Sequence, residues 1–445
     1  MSTETLKPRI PGLQTLAPPP SLHQIFALWI PLAASMVMMV LEPSIINIGL
    51  GRTRLPELAL AAYGIAAGLA LLVEAPILML IDASVAWATD RQVFALLRRF
   101  TLILGLLVTA VGLLVSVTPL YPLIVIDWMN IPTDVATEAR PTLAILSFWP
   151  FPIAWRRTHQ GVLVRAGQTT IITIATAIRL VALAAAMYGG LALWPQEGAV
   201  VAGLAMEVSV VVEALVITWA TGQVLRSGRL PETTPEGEYP PQSLRAIWRA
   251  YSPLSTSSIL RQTSRPLLNA GIAAALLPRA SLAAWPVAWG LATLVAGPAW
   301  SLQQLTTALA KNETSYRRVR DFGLALSASL SAILAVIAFT PLYSMIMGGI
   351  YNLSPELQEL ARPAIQMLAF LPLVMGLQSV LRGLLIRAGW TAPVRTAMWI
   401  NVSVLAITLL VGALSGAVDG VTLAALATLA GGFAELIWLA WRARY

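Results

Sequence analysis

The sequence of 445 residues has no cysteine and little charge. Without cysteine, the chain has no disulfide framework, no thiol nucleophile and no cysteine-ligated metal site. Only two histidines are present, His23 and His159, which nearly excludes a histidine-based metal site. Charged residues make up 11% of the chain, whereas about a quarter is typical of soluble proteins. The composition therefore excludes an ordinary soluble domain.

Hydrophobic residues make up 57% of the chain and are spread along its whole length. The apolar stretches are long enough to cross a bilayer, which takes about 20 helical residues. Backbone amides in hydrocarbon need partners within the protein, so such a chain forms helices or a closed barrel. The stretches exceed the roughly 10 residues of a barrel strand and do not alternate. They predict an all-α membrane protein.

The apolar pattern predicts twelve spans. They lie at 24–50, 58–86, 99–122, 141–165, 170–194, 198–223, 246–277, 281–308, 322–350, 359–387, 393–416 and 419–441. Tyr121–Trp128 is expected to form a turn at the membrane interface. A Pro-rich and acidic linker at 226–243 separates a lobe at 24–225 from a lobe at 244–445, and residues 1–23 form a polar tail. The tail lacks the order of a signal peptide.

Arginine placement predicts the orientation. Most arginines fall in the tails and the even-numbered loops, as at Arg98, Arg99, Arg317 and Arg318. Because basic residues collect in cytoplasmic loops, both termini are expected in the cytoplasm of a multi-pass plasma-membrane protein. The formal net charge of +8 has the same explanation and does not call for a nucleic-acid partner.

The second half of the sequence lies over the first at one constant offset, without gaps at many positions. GVLVRAG at 161–167 meets GLLIRAG at 383–389. We call this offset, which carries Gly161 onto Gly383, the repeat interval. Further matched pairs are Pro31 with Pro253, Pro76 with Pro298, Phe148 with Phe370, Pro150 with Pro372, Gly198 with Gly420, and Glu213 with Glu435.

Each half has an even number of predicted spans, so the two halves point the same way across the membrane. This predicts two parallel-repeat six-helix bundles around a central cavity, the architecture of one class of alternating-access transporters.

Span 7 carries the densest polar cluster, with Arg261, Ser264, Arg265 and Asn269. The arginines and the asparagine recur every four residues and share one helical stripe. Guanidinium groups suit bidentate capture of carboxylate or phosphate. These four residues are predicted to bind substrate.

Span 1 carries the opposite charge at the equivalent place, because Glu42-Pro43 is the counterpart of Ser264-Arg265. A Glu42–Arg265 pair is predicted as a latch or gate. In span 4, Arg157 and His159 are predicted to extend the substrate site towards the cytoplasm.

The remaining intramembrane charges are expected to couple ions or hold helices together. Glu74 and Asp82 lie eight residues apart, roughly on one face of span 2, and are predicted coupling or gating residues. Glu213 and Glu435 occupy equivalent positions, which favours a structural role for both.

Twelve spans in two halves, with prolines in spans 1 and 7, resemble the MATE-type fold of the multidrug/oligosaccharidyl-lipid/polysaccharide exporter (MOP) superfamily. Two segments, Thr158–Leu163 and Gln262–Asn269, further resemble the progressive ankylosis family. That resemblance implies export of multivalent organic anions such as citrate or ATP, with roles for Thr158, His159, Gly161, Ser264, Arg265, Pro266 and Asn269. The chain departs from the family at Ile153, where an acidic residue is expected, and in the order of Arg261 and Gln262.

Three functions remain open: an exporter of citrate-like or nucleotide anions, a cation-coupled multidrug exporter using H⁺ or Na⁺ at Glu42, Glu74 or Asp82, and a lipid-linked precursor flippase. Clustered arginines disfavour a cationic substrate. The sequence has no aspartate-rich diphosphate motif, no His-Glu metal motif, no Ser/His pairing and no glycine-rich phosphate loop. We therefore expect no enzymatic activity and no cofactor or metal. The expected form is a monomer.

Overall fold

The computed structural model describes residues 19–234, 240–310, 312–387 and 390–443. The described residues form helices and turns without a β-strand. Most of the predicted tail, the middle of the linker and the end of the second GLLIRAG segment lie outside the described residues. In the first half the helices are α1 Leu22–Leu50, α2 Pro56–Glu74, α3 Leu80–Trp87, α4 Arg91–Val117, α5 Leu120–Pro122, α6 Thr133–Leu146, α7 Pro150–Arg165, α8 Thr169–Leu193 and α9 Gly198–Arg226.

The second half has the same order of elements. Its helices are α10 Leu244–Gln262, α11 Ser264–Ala273, α12 Pro278–Trp300, α13 Leu302–Leu309, α14 Glu313–Phe339, α15 Leu342–Ser344, α16 Pro355–Leu368, α17 Leu371–Arg387, α18 Thr391–Ser415 and α19 Gly420–Arg442. Helices α13, α14, α16 and α18 begin and end one repeat interval after α3, α4, α6 and α8.

Ten of these helical segments are long and apolar enough to cross a membrane. They are Leu22–Leu50, Pro56–Trp87, Arg91–Val117, Thr169–Leu193, Gly198–Arg226, Pro278–Leu309, Glu313–Phe339, Pro355–Ile386, Ala392–Ser415 and Gly420–Arg442. Predicted spans 4 and 7 are helical too but are not among the ten. Helices α6, α7 and α11 are short, and α10 carries polar residues along its length.

The starting points of α4 and α14 are fixed by capping side chains in the sequence. The Asp90 side chain accepts hydrogen bonds from the backbone N–H groups of Gln92 (2.8 Å) and Val93 (2.9 Å), which caps α4. Its repeat counterpart Asn312 accepts one from Ser315 N–H at 2.8 Å and caps α14. Such caps satisfy amides that the first helical turn leaves without partners.

The segment after α4, where the sequence predicts an interfacial turn, is helical, and the same conformation recurs after α14. A π-helical turn follows α5 at Leu123–Trp128 and α15 at Met345–Ile350. The Tyr121 hydroxyl donates to Ala136 O at 2.6 Å, and Tyr343 donates to Gln358 O in the same way. These tyrosines tie each turn to the helix that follows it.

The chain divides by packing into two compact units. The N-unit is Ile45–Pro286, and the C-unit combines the described residues up to Ser44 with those from Val287 onward. The units differ from the predicted lobes, because α10 and α11 belong to the N-unit with α2–α9. The division into lobes at 24–225 and 244–445 stays a prediction drawn from the sequence repeat.

Candidate functional site

The second span is broken in its middle. Helix α2 ends at Glu74, a 3₁₀ turn occupies Ala75–Ile77, and α3 begins at Leu80. Pro76 has no N–H to donate and cannot continue an α-helical ladder, so carbonyl groups near it are open to other donors. The Tyr251 hydroxyl of α10 donates to Pro76 O at 2.7 Å, and Arg157 Nη1 of α7 donates to Leu78 O at 3.2 Å. The break therefore anchors polar side chains from two other helices.

Charged groups gather around this break. Glu74 and Tyr63 of α2 interact electrostatically with Arg265 of α11. Arg157 and Asp82 interact in the same way with Tyr251. We call Glu74, Asp82, Arg157, Tyr251 and Arg265 the break cluster. Glu74 is buried, Arg157 is half-buried, and Asp82 and Arg265 are exposed.

The repeat counterparts of Tyr251 and Pro76 make the same contact without the charges. Trp29, the counterpart of Tyr251, donates from Nε1 to Pro298 O at 3.4 Å, and Pro298 is the counterpart of Pro76. The counterparts of the four charged residues are uncharged: Ala296 for Glu74, Gln304 for Asp82, Ser379 for Arg157 and Pro43 for Arg265. The contact therefore forms without these charges at one of two equivalent places, and the charged groups of the break cluster are an addition at the other.

Asn269 and Ser264 lie on the same helix as Arg265 but have different surroundings. Asn269 is buried, and its Nδ2 donates to Gly64 O of α2 at 3.4 Å. Its counterpart Asn47 donates to Pro286 O at 3.0 Å, and Pro286 is the counterpart of Gly64. Each of these two equivalent contacts joins a helix of one repeat to a helix of the other. Ser264 is half-buried at the start of α11.

His159 packs among aromatic side chains. Its Nδ1 is 2.8 Å from Trp155 O, and its ring centroid is 4.5 Å from that of Trp155 and 5.3 Å from that of Phe94. His159 is buried, and the Arg98 guanidinium lies 5.1 Å from the centroid of the Trp155 ring. Arg157, two residues earlier, reaches the span-2 break instead. The structure thus brings Arg157 into the break cluster and leaves His159 in a separate aromatic contact.

Two buried glutamates form the other polar centres. In the N-unit, Glu213 accepts from Arg156, from Arg179 Nη1 at 3.3 Å, from Thr176 Oγ1 at 3.2 Å and from Gln160 Nε2 at 3.4 Å. In the C-unit, Glu435 accepts from Arg382 Nε and from Asn401 Nδ2, each at 2.8 Å. Both glutamate side chains are 1% exposed.

Arg261 and Glu42 are two further predicted site residues. The side chain of Arg261 lies outside the described part of the structure. Glu42 is buried in the C-unit at 8% exposure. The predicted Glu42–Arg265 pair joins residues of different units and stays a prediction. Among the described residues, no group of three histidine, aspartate or glutamate side chains is arranged to hold a metal ion.

Sequence reasoning missed the two tyrosines of this region. Tyr63 and Tyr251 are neutral, so the charge pattern along the chain does not single them out. The repeat offers a signal for both, because each has a tryptophan as its counterpart, Trp285 and Trp29. Large aromatic residues at both copies of a position indicate a shared packing role, to which a hydroxyl adds hydrogen bonding.

The fold is that of the transporters of the MOP superfamily. A MATE family multidrug resistance transporter in an inward-facing conformation aligns with a TM-score of 0.66 at 18% identity, over 92% of this chain and 98% of that chain. The lipid II flippase MurJ in an inward closed conformation aligns with a TM-score of 0.71 at 12% identity, over 95% and 87%.

A MOP superfamily transporter from Pyrococcus furiosus, described as having a binding pocket of reverse polarity, aligns with a TM-score of 0.59 at 16% identity, over 94% and 95%. No protein-family model and no curated protein sequence matches the chain. The likeness at these identities defines the fold as MATE-like.

Proposed function

We propose that this protein is a multi-pass plasma-membrane transporter that exports multivalent organic anions by alternating access. It has twelve spans in two parallel repeats around a central cavity, functions as a monomer, and keeps both termini in the cytoplasm. The MATE-like fold supports a transporter, and the recurrence of helix bounds at the repeat interval supports the repeat. Tricarboxylates such as citrate, or nucleotides such as ATP, are the proposed substrates, in line with the resemblance to the progressive ankylosis family.

The break cluster is the observation that carries this proposal. Arg157 and Arg265 come from different helices and flank one helix break, and the repeat counterpart of each is uncharged. Two guanidiniums on separate helices can hold separate carboxylate or phosphate groups of one substrate. Glu74 and Asp82 then serve as counter-ions while the site is empty, and Arg261, Ser264 and Asn269 extend the site along span 7.

Uptake into proteoliposomes tests the proposal. Labelled citrate and ATP are offered to vesicles containing the wild type, Arg265→Ala or Arg157→Ser, the last of which installs the residue of the other repeat. Arg317→Ser removes an exposed arginine paired with Glu313 and is the matched control. Uptake that is lost in both site variants and kept in the control is expected. Citrate and ATP uptake that is unchanged in Arg265→Ala would overturn the assignment.

A flippase for a lipid-linked precursor is the second candidate, and the likeness to MurJ favours it. Arginines that hold carboxylates also hold a pyrophosphate headgroup, so the break cluster serves either substrate. A fluorescent lipid-pyrophosphate in vesicles separates the two. Arg265-dependent movement of that lipid between leaflets, with no citrate or ATP uptake, would make the protein a flippase.

One observation supports a cation-coupled exporter: the carboxylates Glu74 and Asp82 lie near the same break. Uptake of a lipophilic cation that competes with protons and depends on either carboxylate would favour it. The two arginines beside them oppose a cationic substrate, because like charges repel strongly where water is scarce.

A further inference from the structure

Two glutamates of α9, Glu207 and Glu213, have very different surroundings. Glu213 accepts hydrogen bonds from Arg156 and Arg179. The Oε2 atom of Glu207 is also buried, but within the described residues no donor reaches it and no charged group acts on the carboxyl. Buried polar atoms almost always have a partner. The unpaired carboxyl oxygen of Glu207 therefore calls for an explanation other than an ion pair.

Glu207 borders an apolar cavity of about 520 Å³ between α4, α6 and α9. Two of its lining side chains, Phe148 and Leu204, are 52% and 41% exposed. Helices α4 and α9 are long and apolar enough to cross a membrane, and large apolar side chains exposed on such helices contact lipid. The cavity is therefore open to the bilayer. Its lining residues are Leu113, Ala144, Ile145, Phe148, Leu204 and Glu207.

The carboxyl is found in one repeat only. Phe148 and Leu204 have Phe370 and Leu426 as their repeat counterparts, and these two are exposed in the same way. The counterpart of Glu207 is Leu429. Helix packing at the equivalent position thus accepts an apolar side chain, so the repeat gives no structural reason for a carboxyl at Glu207.

The surroundings of Glu207 favour its neutral form. An ionised carboxylate without a cationic partner is far more costly in hydrocarbon than a carboxylic acid, so such a group takes up a proton. A protonated carboxyl that is open to lipid has a characteristic chemistry, because a hydrophobic carbodiimide dissolves in the bilayer and reacts with the acid form.

The reaction is an addition without a leaving group. The acid proton moves to one carbodiimide nitrogen, and the carboxyl oxygen bonds to the central carbon, which gives an O-acylisourea. Transfer of the acyl group from that oxygen to nitrogen then gives an N-acylurea, which is stable and keeps all the atoms of the reagent.

We propose that Glu207 is a proton-carrying carboxyl reached from the bilayer, and that its cavity is a modification site for hydrophobic carbodiimides. The site is formed by α4, α6 and α9 and shares no residue with the break cluster. The proposal does not depend on which substrate is transported.

Carbodiimide labelling of the full chain in lipid nanodiscs, mapped by peptide mass spectrometry, tests this proposal. Dicyclohexylcarbodiimide is expected to modify Glu207 and to leave Glu213, the paired glutamate of the same helix, unmodified. A charged, water-soluble carbodiimide with glycine ethyl ester as the trapping amine is expected to modify Glu313, whose side chain is 64% exposed, and not Glu207.

The cavity is tested by a variant that fills it. Ala144→Leu adds bulk to the lining and is expected to lower the labelling of Glu207 several-fold. Ala177→Leu makes the same change at an exposed position of α8 outside the lining, and is expected to leave the labelling unchanged.

Two results with the wild type would overturn the proposal without any variant. One is the absence of a dicyclohexylcarbodiimide adduct at Glu207. The other is equal modification of Glu207 by the charged reagent, which would show that the carboxyl faces water. Equal labelling of Glu207 in Ala144→Leu and Ala177→Leu would show that the reagent does not enter through the cavity, and would overturn that part of the proposal.

Discussion

Glu435 is almost fully enclosed at 1% exposure and has a single arginine, Arg382, as its ionic partner in the described part of the C-unit. Removing one member of a buried ion pair leaves the other charge without compensation, which costs about 3–5 kcal/mol. Arg382→Met is therefore expected to lower the melting temperature of the detergent-solubilised protein by several degrees or to prevent its isolation. Tryptophan fluorescence on heating measures the effect.

The control for this prediction is Arg317→Met, which removes an exposed arginine paired with Glu313 at 2.6 Å. Exposed pairs contribute little, so a much smaller change is expected. Equal melting temperatures for the two variants would contradict a structural role for the Glu435 pair.

Asp90 gives a prediction about pH. Burial alone would raise the pKa of this carboxyl, but hydrogen bonds from Thr234, Thr89 and the amides of Val93 and Gln92 outweigh it and hold the pKa below its ordinary value of 3.8. A lowered pKa in the folded state means that the charged form adds stability at neutral pH. That contribution disappears as the pH falls through the lowered pKa.

Asp90→Asn keeps an N-cap for α4 but does not titrate. It is expected to be slightly less stable than the wild type at pH 7 and to lose less stability between pH 5 and pH 3. Thermal unfolding across that range checks the prediction. Parallel pH profiles for the two proteins would show that Asp90 contributes nothing to acid sensitivity.

At the scale of elements, close helix contacts depend on residues without side chains. A Cβ on Gly161 of α7 would overlap the Ser84 side chain and crowd the Val85 amide of α3. Gly161→Ala is therefore expected to destabilise the protein by about 1–3 kcal/mol through overpacking. Gly189→Ala in α8 meets nothing within 4 Å and serves as the control. A stability loss of the same size in both variants would contradict this account of the contact between α3 and α7.

The broken span 2 shows what the sequence could and could not predict. The match of Pro76 with Pro298 marks both breaks, and the sequence predicts intramembrane charges at Glu74, Asp82, Arg157 and Arg265. Which carbonyl each side chain reaches depends on how α7 and α10 pack against α2. Linear spacing placed Arg157 with His159 in one site, whereas the fold directs the two side chains to different helices.

Helix ends were predicted less well than helix positions. The apolar pattern predicts that span 3 begins at 99 and leaves Arg98 in the preceding loop. Helix α4 begins at Arg91, where Asp90 caps it. The apolar pattern reports which residues lie in hydrocarbon, and a helix extends beyond that region wherever its first turn is capped.

At the scale of the whole molecule, the sequence repeat and the packing divide the chain differently. The sequence repeat divides the chain near its linker into two similar halves, because the repeat reflects a duplication of the sequence. The compact units instead reflect contacts between residues. Tyr251 and Asn269 each donate a hydrogen bond to the backbone of span 2, and these contacts help to place α10 and α11 in the N-unit. These contacts cannot be predicted from the sequence alone, since neither residue is charged or belongs to a motif that identifies its partner.

The break cluster makes opposite predictions for an anion site and for a cation-coupled site. If Glu74 is a counter-ion that competes with substrate for Arg265, its neutralisation strengthens anion binding. If Glu74 binds a coupling cation, its neutralisation leaves anion binding unchanged and removes cation binding.

The most direct test is therefore isothermal titration of citrate into the wild type, Arg265→Gln and Glu74→Gln. We predict at least a tenfold weaker affinity for Arg265→Gln, which is about 1.4 kcal/mol, and a tighter affinity for Glu74→Gln. Citrate affinity that is unaffected by Arg265→Gln, together with cation binding that is lost in Glu74→Gln, would contradict the anion site and identify the break cluster as a cation site.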